Sequence, residues 1–157
     1  MADKVLSVQQ PGVYQVEGLP YPVMAKDGGG GALLHTVFTH DTATPLTATP
    51  ATVVAGPVTL TLAPGDVVLC WGASTIQSGT NTGVARIDLA VDGAPVTDAF
   101  SQANDLQSGE NIATMLAWRV SGLSPGAHTF DLLGSVTGGT ETGTSLVGQL
   151  VLAVSSV

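Results

Sequence analysis

The two residues whose types best suit catalysis are His128 and Asp131, in the stretch AHTFDLLGSV (127–136). A histidine held by an aspartate is the proton-transfer unit of many hydrolases. The stretch follows Ser124-Pro125-Gly126, and its composition predicts a strand that leaves a turn. Side chains alternate between the two faces of a strand, so residues three apart point in opposite directions. We therefore predict that His128 and Asp131 do not form a pair and that both are structural.

The other reactive side chains are also badly spaced for a site. His35 and His40 are five apart, so they lie on opposite faces of a strand unless a bulge intervenes. The single cysteine, Cys70, lies in the apolar run VVLCWG, which predicts a buried thiol and excludes an internal disulfide. There is no nucleophile elbow of the G-x-S-x-G type and no phosphate-binding loop. We predict no enzyme activity, no catalytic, cofactor-binding or metal-ligating residues, and no cofactor.

Composition limits the classes of partner. The 157 residues are 44% hydrophobic and 10% charged, which suits one folded domain rather than a disordered chain. The net charge is −8, and the only cations are Lys4, Lys26, Arg86 and Arg119. Phosphate backbones and anionic membranes both need a basic surface, so we expect no nucleic acid and no membrane as partner. The first residues lack the pattern of a secretion signal, which predicts synthesis in a host cytoplasm.

The pattern of short alternating runs between glycine and proline turns predicts an all-β protein. Twenty glycines and nine prolines separate these runs, and no helical periodicity persists. We predict an antiparallel, jelly-roll-like β-sandwich of about eight strands, with Asp92-Gly93 as a hairpin turn. In the strand over 85–93, alternation predicts Ile87, Leu89 and Val91 inward and Arg86, Asp88 and Asp92 outward. The expected strands are 32–40, 57–62, 66–75, 85–93, the stretch APVTDAF, 112–122, 127–136 and 145–156.

Two strands are apolar on both faces. VVLCW (67–71) and LVLAV (150–154) have no alternation, although antiparallel sheets usually leave one face in water. A second copy of the chain covering that face would explain them, and a strand crossing the centre of a small barrel is the alternative. On the first interpretation, Leu150 and Leu152 are assigned to an interface between copies. Trp71 and Trp118 are predicted to lie in the core.

The first 31 residues differ from the rest, which predicts an extended N-terminal arm (1–31) before the β-sandwich domain (32–157). Pro11, Pro20 and Pro22 are expected to prevent a regular ladder, and Gly28 to Gly31 form a joint. The arm could dock on another protein, on a neighbouring subunit or on its own core. The apolar residues predicted to anchor it are Val13, Tyr14, Leu19, Tyr21 and Met24.

Four stretches carry a resemblance to a known family: LTLAPGDVVLCWGAST, ARIDLAVDGAPV, MLAWRVSGLSPGAHTFDLLGSVTGG and SLVGQLVLAVSS. Over residues 57 to 157 the layout resembles the jelly-roll modules of tailed-bacteriophage virions, which share the fold of tumour-necrosis-factor-like and C1q-like trimers. With its arm, the chain is similar to phage capsid decoration (head-stabilising) proteins. The resemblance implies a homotrimer on the outside of a virion that binds the major capsid protein and clamps neighbouring subunits. The alternative is a phage fibre or tail module that binds a receptor or carbohydrate, which would display exposed aromatic side chains.

Overall fold

The structure, a computed structural model, describes residues 43–79, 83–137 and 143–155 with their side chains. It also describes the backbone of four further strands, Val5–Gln10, Val13–Val16, Val23–Met24 and Leu34–His40. All secondary structure in these residues is β-strand or turn. The fold is an antiparallel β-sandwich, as the sequence predicts.

One layer of the sandwich is a five-stranded sheet. Four of its strands lie in the order β10 (Asn111–Val120), β7 (Val67–Ser78), β12 (Gly143–Ser155) and β4 (Leu34–His40). The short β5 (Thr44–Leu46) lies off this path and also pairs with β12. Every pairing is antiparallel, and β10 keeps one register with β7 over its whole length.

The other layer is a four-stranded sheet with β11 and β8 at its centre. It consists, in order, of β6 (Thr52–Leu62), β11 (Gly126–Thr137), β8 (Gly83–Val91) and β9 (Ala94–Leu106). Apart from the short β5, the two layers contain eight strands, which confirms the predicted number. Each predicted strand corresponds to one of them, including β9, which runs through to Leu106.

Turn residues explain where the strands reverse. Asp92 and Gly93 both have positive φ, 53° and 78°, so they form the two-residue turn between β8 and β9 that the sequence predicts. Gly65 has φ 83° in the turn between β6 and β7, which the N–H of Asp66 closes on the carbonyl of Ala63 at 3.2 Å. Both turns lie at the same end of the sandwich as the loop 121–125 between β10 and β11.

The core lies between the two sheets and is almost entirely aliphatic. Its largest fully buried side chains are Phe130, Ile76, Ile87, Leu89, Leu106, Leu132, Leu150 and Leu152. Where β12 crosses β6, the main chains of the two sheets come into close contact: a Cβ added to Gly148 on β12 would lie 1.7 Å from the carbonyl oxygen of Val54 on β6. Only glycine fits at this crossing, because no side-chain movement can relieve a clash between main chains.

The N-terminal region corrects one expectation. Three short antiparallel strands, β1 (Val5–Gln10), β2 (Val13–Val16) and β3 (Val23–Met24), form a separate sheet in the order β1-β2-β3. The prediction that the chain cannot form a ladder past Pro11, Pro20 and Pro22 is therefore wrong, although the register of β1 with β2 shifts twice and the ladder is irregular. Pro11 falls between the bounds of β1 and β2, and Pro20 and Pro22 between those of β2 and β3, so none of these three prolines lies within a strand.

Candidate functional site

His128 does not meet Asp131 and instead contacts Asp92 in the β8–β9 turn. The His128 Nδ1 lies 2.7 Å from Asp92 Oδ2, and Nε2 lies 2.8 Å from the carbonyl oxygen of Ser124. The second carboxylate oxygen of Asp92 accepts a 2.9 Å hydrogen bond from the N–H of Thr129. These bonds link a strand, a turn and a loop, and no side chain here is placed to act as a nucleophile. The prediction that His128 and Asp131 do not pair is confirmed.

Asp131 lies on the other face of β11 and is buried. It stands beside Gly56 on β6, where a Cβ would come within 2.9 Å of its Oδ1. Burial raises the pKa of the Asp131 carboxyl, because the charged form loses its hydration. Asp131 therefore packs against β6 and does not form a catalytic pair with His128.

The remaining reactive residues lie apart from one another. β4 pairs with β12 without a bulge from Leu34 to His40, so the ladder provides no bulge to bring positions 35 and 40 to one face. Among the described residues, no three His, Cys, Asp or Glu side chains lie close enough to hold a metal ion. Cys70 is buried in the core, as predicted, and desolvation raises the pKa of its thiol to about 12.

The outer face of the four-stranded sheet carries an ion pair with a buried carboxylate, and alternation did not predict this burial. Asp88 was expected outside, and its position is on the outer face, but it is only 1% exposed. Arg86 Nε donates to both carboxylate oxygens of Asp88, at 3.0 and 2.8 Å, and its guanidinium lies 3.8 Å from the ring centroid of Phe100. The carboxylate raises the pKa of Arg86. The arginine and the ring cover Asp88, so this pair is a structural contact within one chain.

The outer face of the five-stranded sheet is apolar and open. In the register of the sheet, Trp71 lies opposite Ala117 on β10 and Val151 on β12, and Ala73 lies opposite Met115. Met115 is 72% exposed, Val147 is 45% exposed and Trp71 is 44% exposed. We call this surface the apolar face, defined by Leu69, Trp71, Ala73, Met115, Ala117, Val147 and Val151.

Charge is distributed unevenly between the two sheets. The five strands of the sheet that bears the apolar face contain no Asp or Glu, although the chain has twelve. Their one Lys or Arg is Arg119, near the end of β10. The four-stranded sheet, in contrast, contains Asp88, Asp98, Asp105 and Asp131. A face without carboxylates on a chain of net charge −8 is suited to contact with another protein surface.

The two tryptophans are not in the core, which corrects the sequence prediction. Trp71 points outward from β7, and Trp118, on edge strand β10, is 37% exposed. A shallow groove of about 460 Å³ runs beside them, lined by Leu69, Cys70, Trp71, Ala117, Trp118 and Arg119. Sequence reasoning placed both rings inside because aromatic residues within strands are usually buried. In the register of the sheet Trp71 lies opposite Ala117 on the outward face. Trp118 lies opposite buried Cys70, so it is on the inward side, but its place on the edge strand β10 leaves it partly exposed.

The predicted interface residues fall in two regions. Leu150 and Leu152 are fully buried in the core of a single chain, so they lie on the inner face of β12 and not on a surface that another copy could contact. The outward residues next to them are Gln149, Val151 and Ala153. Of the arm anchors, Val13, Tyr14 and Met24 belong to strands whose backbone alone is described, and Leu19 and Tyr21 lie outside the described residues.

No helix that could span a membrane occurs in the described part of the chain. No family model matches the sequence. No curated protein matches it either.

Solved structures with similar folds do exist. The tumour-necrosis-factor protein Eiger from S. frugiperda has a TM-score of 0.52 at 10% identity, over 77% of this chain and 91% of that chain. A capsid structure of infectious bursal disease virus gives a TM-score of 0.47 at 16% identity, over 89% of this chain but only 37% of that chain. The C-terminal domain of the sugar-binding protein EclA gives 0.37 at 15% identity, over 70% of this chain and 78% of that chain. The similarity to Eiger identifies the fold as a tumour-necrosis-factor-like jelly roll.

Proposed function

We propose that this protein is a non-enzymatic structural component of a viral particle and that it associates as a homotrimer through the apolar face. In the proposed assembly the trimer lies on the outside of a bacteriophage capsid, binds the major capsid protein and clamps neighbouring shell subunits. The phage setting is supported by the sequence resemblance of residues 57 to 157, and the fold is compatible with it.

The observation that supports association most directly is the exposure of large apolar side chains on one sheet. Single exposed apolar residues are ordinary on soluble proteins, but a contiguous apolar patch without charge marks an interface. Met115, Trp71 and Val147 are among the most exposed apolar side chains described in the chain, and all three lie on the apolar face. Alternation therefore persists in β7, β10 and β12, but most of the outward positions are apolar as well, with Thr75, Gln149 and Arg119 as polar residues on the same face.

The energetics also favour an interface of several residues. Burying one large apolar side chain is worth about 1.5–3 kcal/mol. Association costs about 4–15 kcal/mol in lost translational and rotational freedom, before side chains are ordered. One side chain cannot offset that cost, whereas the apolar face offers Trp71, Met115, Val147 and Val151 together. A heterologous contact between copies closes into a ring when its rotation allows, which is the geometry of a trimer.

Replacing Met115 with Asp is the test of self-association. We expect the unmodified protein to have a solution mass of three times 15.7 kDa and Met115→Asp to have that of one chain. The carboxylate would be desolvated at the interface, whereas in the free chain Met115 is 72% exposed, so the melting temperature of the monomer should change little. Mass should be measured by light scattering and analytical ultracentrifugation.

Gln102→Asp is the matched control, because Gln102 is exposed on β9 of the other sheet and the change introduces the same charge. It should remain trimeric. A single-chain mass for the unmodified protein at micromolar concentration would contradict the proposal.

We further propose that the arm contributes to attachment, with Val13, Tyr14, Leu19, Tyr21 and Met24 as its anchors. Removing residues 1–30 should leave the β-sandwich cooperative in a thermal melt and should reduce co-sedimentation with capsid shells. The reason is that three large anchors are together worth several kcal/mol, so their loss weakens binding by orders of magnitude. Equal co-sedimentation of the two chains would contradict an attachment role. A collapsed melt would instead assign the arm to the stability of its own domain.

A second candidate, a carbohydrate-binding module, is favoured by the exposed rings of Trp71 and Trp118 beside their groove. In many sugar-binding sites the CH groups of the sugar stack on aromatic side chains such as these. The same mass measurement separates the two candidates when a glycan array accompanies it. Glycan binding by a single-chain species would favour the carbohydrate module, and a trimer that binds no glycan would favour the structural role.

A further inference from the structure

The contact of His128 with two acceptors has a consequence for its protonation. Its Nδ1 faces the Asp92 carboxylate at 2.7 Å, and its Nε2 faces the Ser124 carbonyl at 2.8 Å. Neither of these oxygens carries a proton to donate, because the carboxylate is ionised at neutral pH and a carbonyl has none. A neutral imidazole has only one N–H, so it can satisfy one acceptor and must present a lone pair to the other. Both bonds can form only when the ring is an imidazolium.

We propose that His128 is a pH-controlled latch that, as an imidazolium, ties the β8–β9 turn to the β10–β11 loop and releases that loop when it loses a proton. The inference concerns one end of the sandwich and is independent of the proposed assembly. Two segments that are distant in sequence, the turn at Asp92 and the loop at Ser124, are joined there through one ring. The imidazole is only 11% exposed, whereas the Asp92 side chain is 52% exposed, so the ring is sheltered from water and the carboxylate is hydrated on its outer side.

The surroundings determine which contact is lost. Among the described residues, the charged group in contact with the ring is Asp92. β6 places Leu60 opposite His128, the β10–β11 loop contributes a main-chain carbonyl, and Asp66 in the adjacent turn accepts a bond from the N–H of Ala63. When the ring is neutral, the remaining proton stays on Nδ1, because a hydrogen bond to a carboxylate is stronger than one to a carbonyl. Nε2 then turns a lone pair toward the Ser124 carbonyl, and the two repel each other. Deprotonation therefore frees the loop 121–125 while the bond to the turn remains.

The direction of the pH effect follows from both partners. The Asp92 hydrogen bond, then the Ser124 carbonyl, raise the pKa of His128, whereas the bonds from Thr129 and His128 lower the pKa of Asp92. The histidine's stabilising effect is complete below its ordinary pKa of about 6.5 and is lost as pH rises through the raised value. The aspartate's effect is complete above its ordinary pKa of about 3.9 and is lost as pH falls through the lowered value. The latch is therefore strongest between about pH 4 and pH 6.5.

The test is a titration of the His128 ring by ¹⁵N NMR, with stability measured over the same pH range. We expect both ring nitrogens to carry protons at pH 6, a pKa above 6.5, and amide shifts of Gly122 and Gly126 that follow the same titration. In Asp92→Asn the pKa should fall toward 6.5. Asparagine tolerates the left-handed backbone of position 92 and precedes Gly93 as well as aspartate does, so this variant keeps the turn and removes the charge.

Asp98→Asn is the control, because it removes one carboxylate from another left-handed position and should leave the His128 pKa unchanged. The free energy of unfolding of His128→Gln should fall below that of the unmodified protein at pH 6, and the difference should be smaller at pH 9, where the neutral ring keeps only its bond to Asp92. A ring with a single N–H at pH 6, a pKa at or below 6.5, or an unchanged pKa in Asp92→Asn would each overturn the latch.

Discussion

Replacing Gly148 with Ala should be among the most damaging single changes in this protein. The added Cβ would lie 1.7 Å from the carbonyl oxygen and 2.6 Å from the carbonyl carbon of Val54. Overpacking in a core usually costs about 1–3 kcal/mol because side chains move aside. Here the obstacle is the backbone of β6, so one of the two sheets has to shift where β12 crosses β6. We expect a loss of at least about 3 kcal/mol in the free energy of unfolding, measured by urea denaturation.

Gln149→Ala is the matched control for Gly148→Ala. Gln149 is the next residue on the same strand and is exposed, so its change should stay within about 0.5 kcal/mol. If Gly148→Ala destabilised the protein no more than Gln149→Ala, the close approach of β12 to β6 would be contradicted. The position also explains why one glycine interrupts the apolar sequence of β12.

Local patterns predicted the parts of the fold that depend on neighbours in sequence. Strict alternation in β8 identified Ile87, Leu89 and Val91 as core, and all three are buried. The Asp-Gly pair identified the turn between β8 and β9, because two consecutive positive φ values demand such residues. The alternation in β8 and the turn at Asp92-Gly93 depend only on residues that are adjacent in sequence, so one short stretch was enough to predict each of them.

Contacts between distant strands could not be read in the same way. The sequence showed that His128 cannot meet Asp131, but it could not show that Asp92, 36 residues earlier, is the partner. Asp88 was assigned to solvent because its cover comes from Phe100 on the neighbouring strand and from Arg86 folding back along its own. The Asp88 carboxylate is covered because the adjacent strand β9 supplies the ring of Phe100, on which the guanidinium of Arg86 lies.

The two-sided apolar strands explain why the predicted interface residues lie on the inner face. In a strand with polar residues on one side, the polar positions determine which side faces the core. LVLAV contains no polar residue, so its sequence does not indicate whether Leu150 or Val151 faces outward. The pairing with β7 in the same sheet distinguishes the two: Leu150 lies opposite Gly72 and is fully buried, whereas Val151 lies opposite the exposed Trp71 and points outward. The same pairing places Trp71 on the apolar face and not in the core, where the sequence predicted it.

Replacing Leu150 with Asp should therefore unfold the chain rather than merely separate its copies. Leu150 is fully buried among aliphatic side chains, and a carboxylate there would have neither water nor a partner. An unpaired charge in such a site costs several kcal/mol, which is a large share of the roughly 5–15 kcal/mol that stabilises a domain. We expect loss of the cooperative thermal transition and of the native β-sheet circular dichroism at all protein concentrations.

Gln149→Asp, one residue away on the outward side of β12, separates this effect from a general intolerance of charge on the strand. It should keep a cooperative melt, because an exposed carboxylate remains hydrated in the single chain. Gln149 lies on the same sheet face as Val151, so a single-chain solution mass for Gln149→Asp would also support association of copies through that face. A folded, cooperative Leu150→Asp would show that Leu150 faces outward and would restore it to the interface between copies. An unfolded Leu150→Asp beside a folded Gln149→Asp would establish that the two faces of β12 have different roles, with the inner one forming the core and the outer one free for contact.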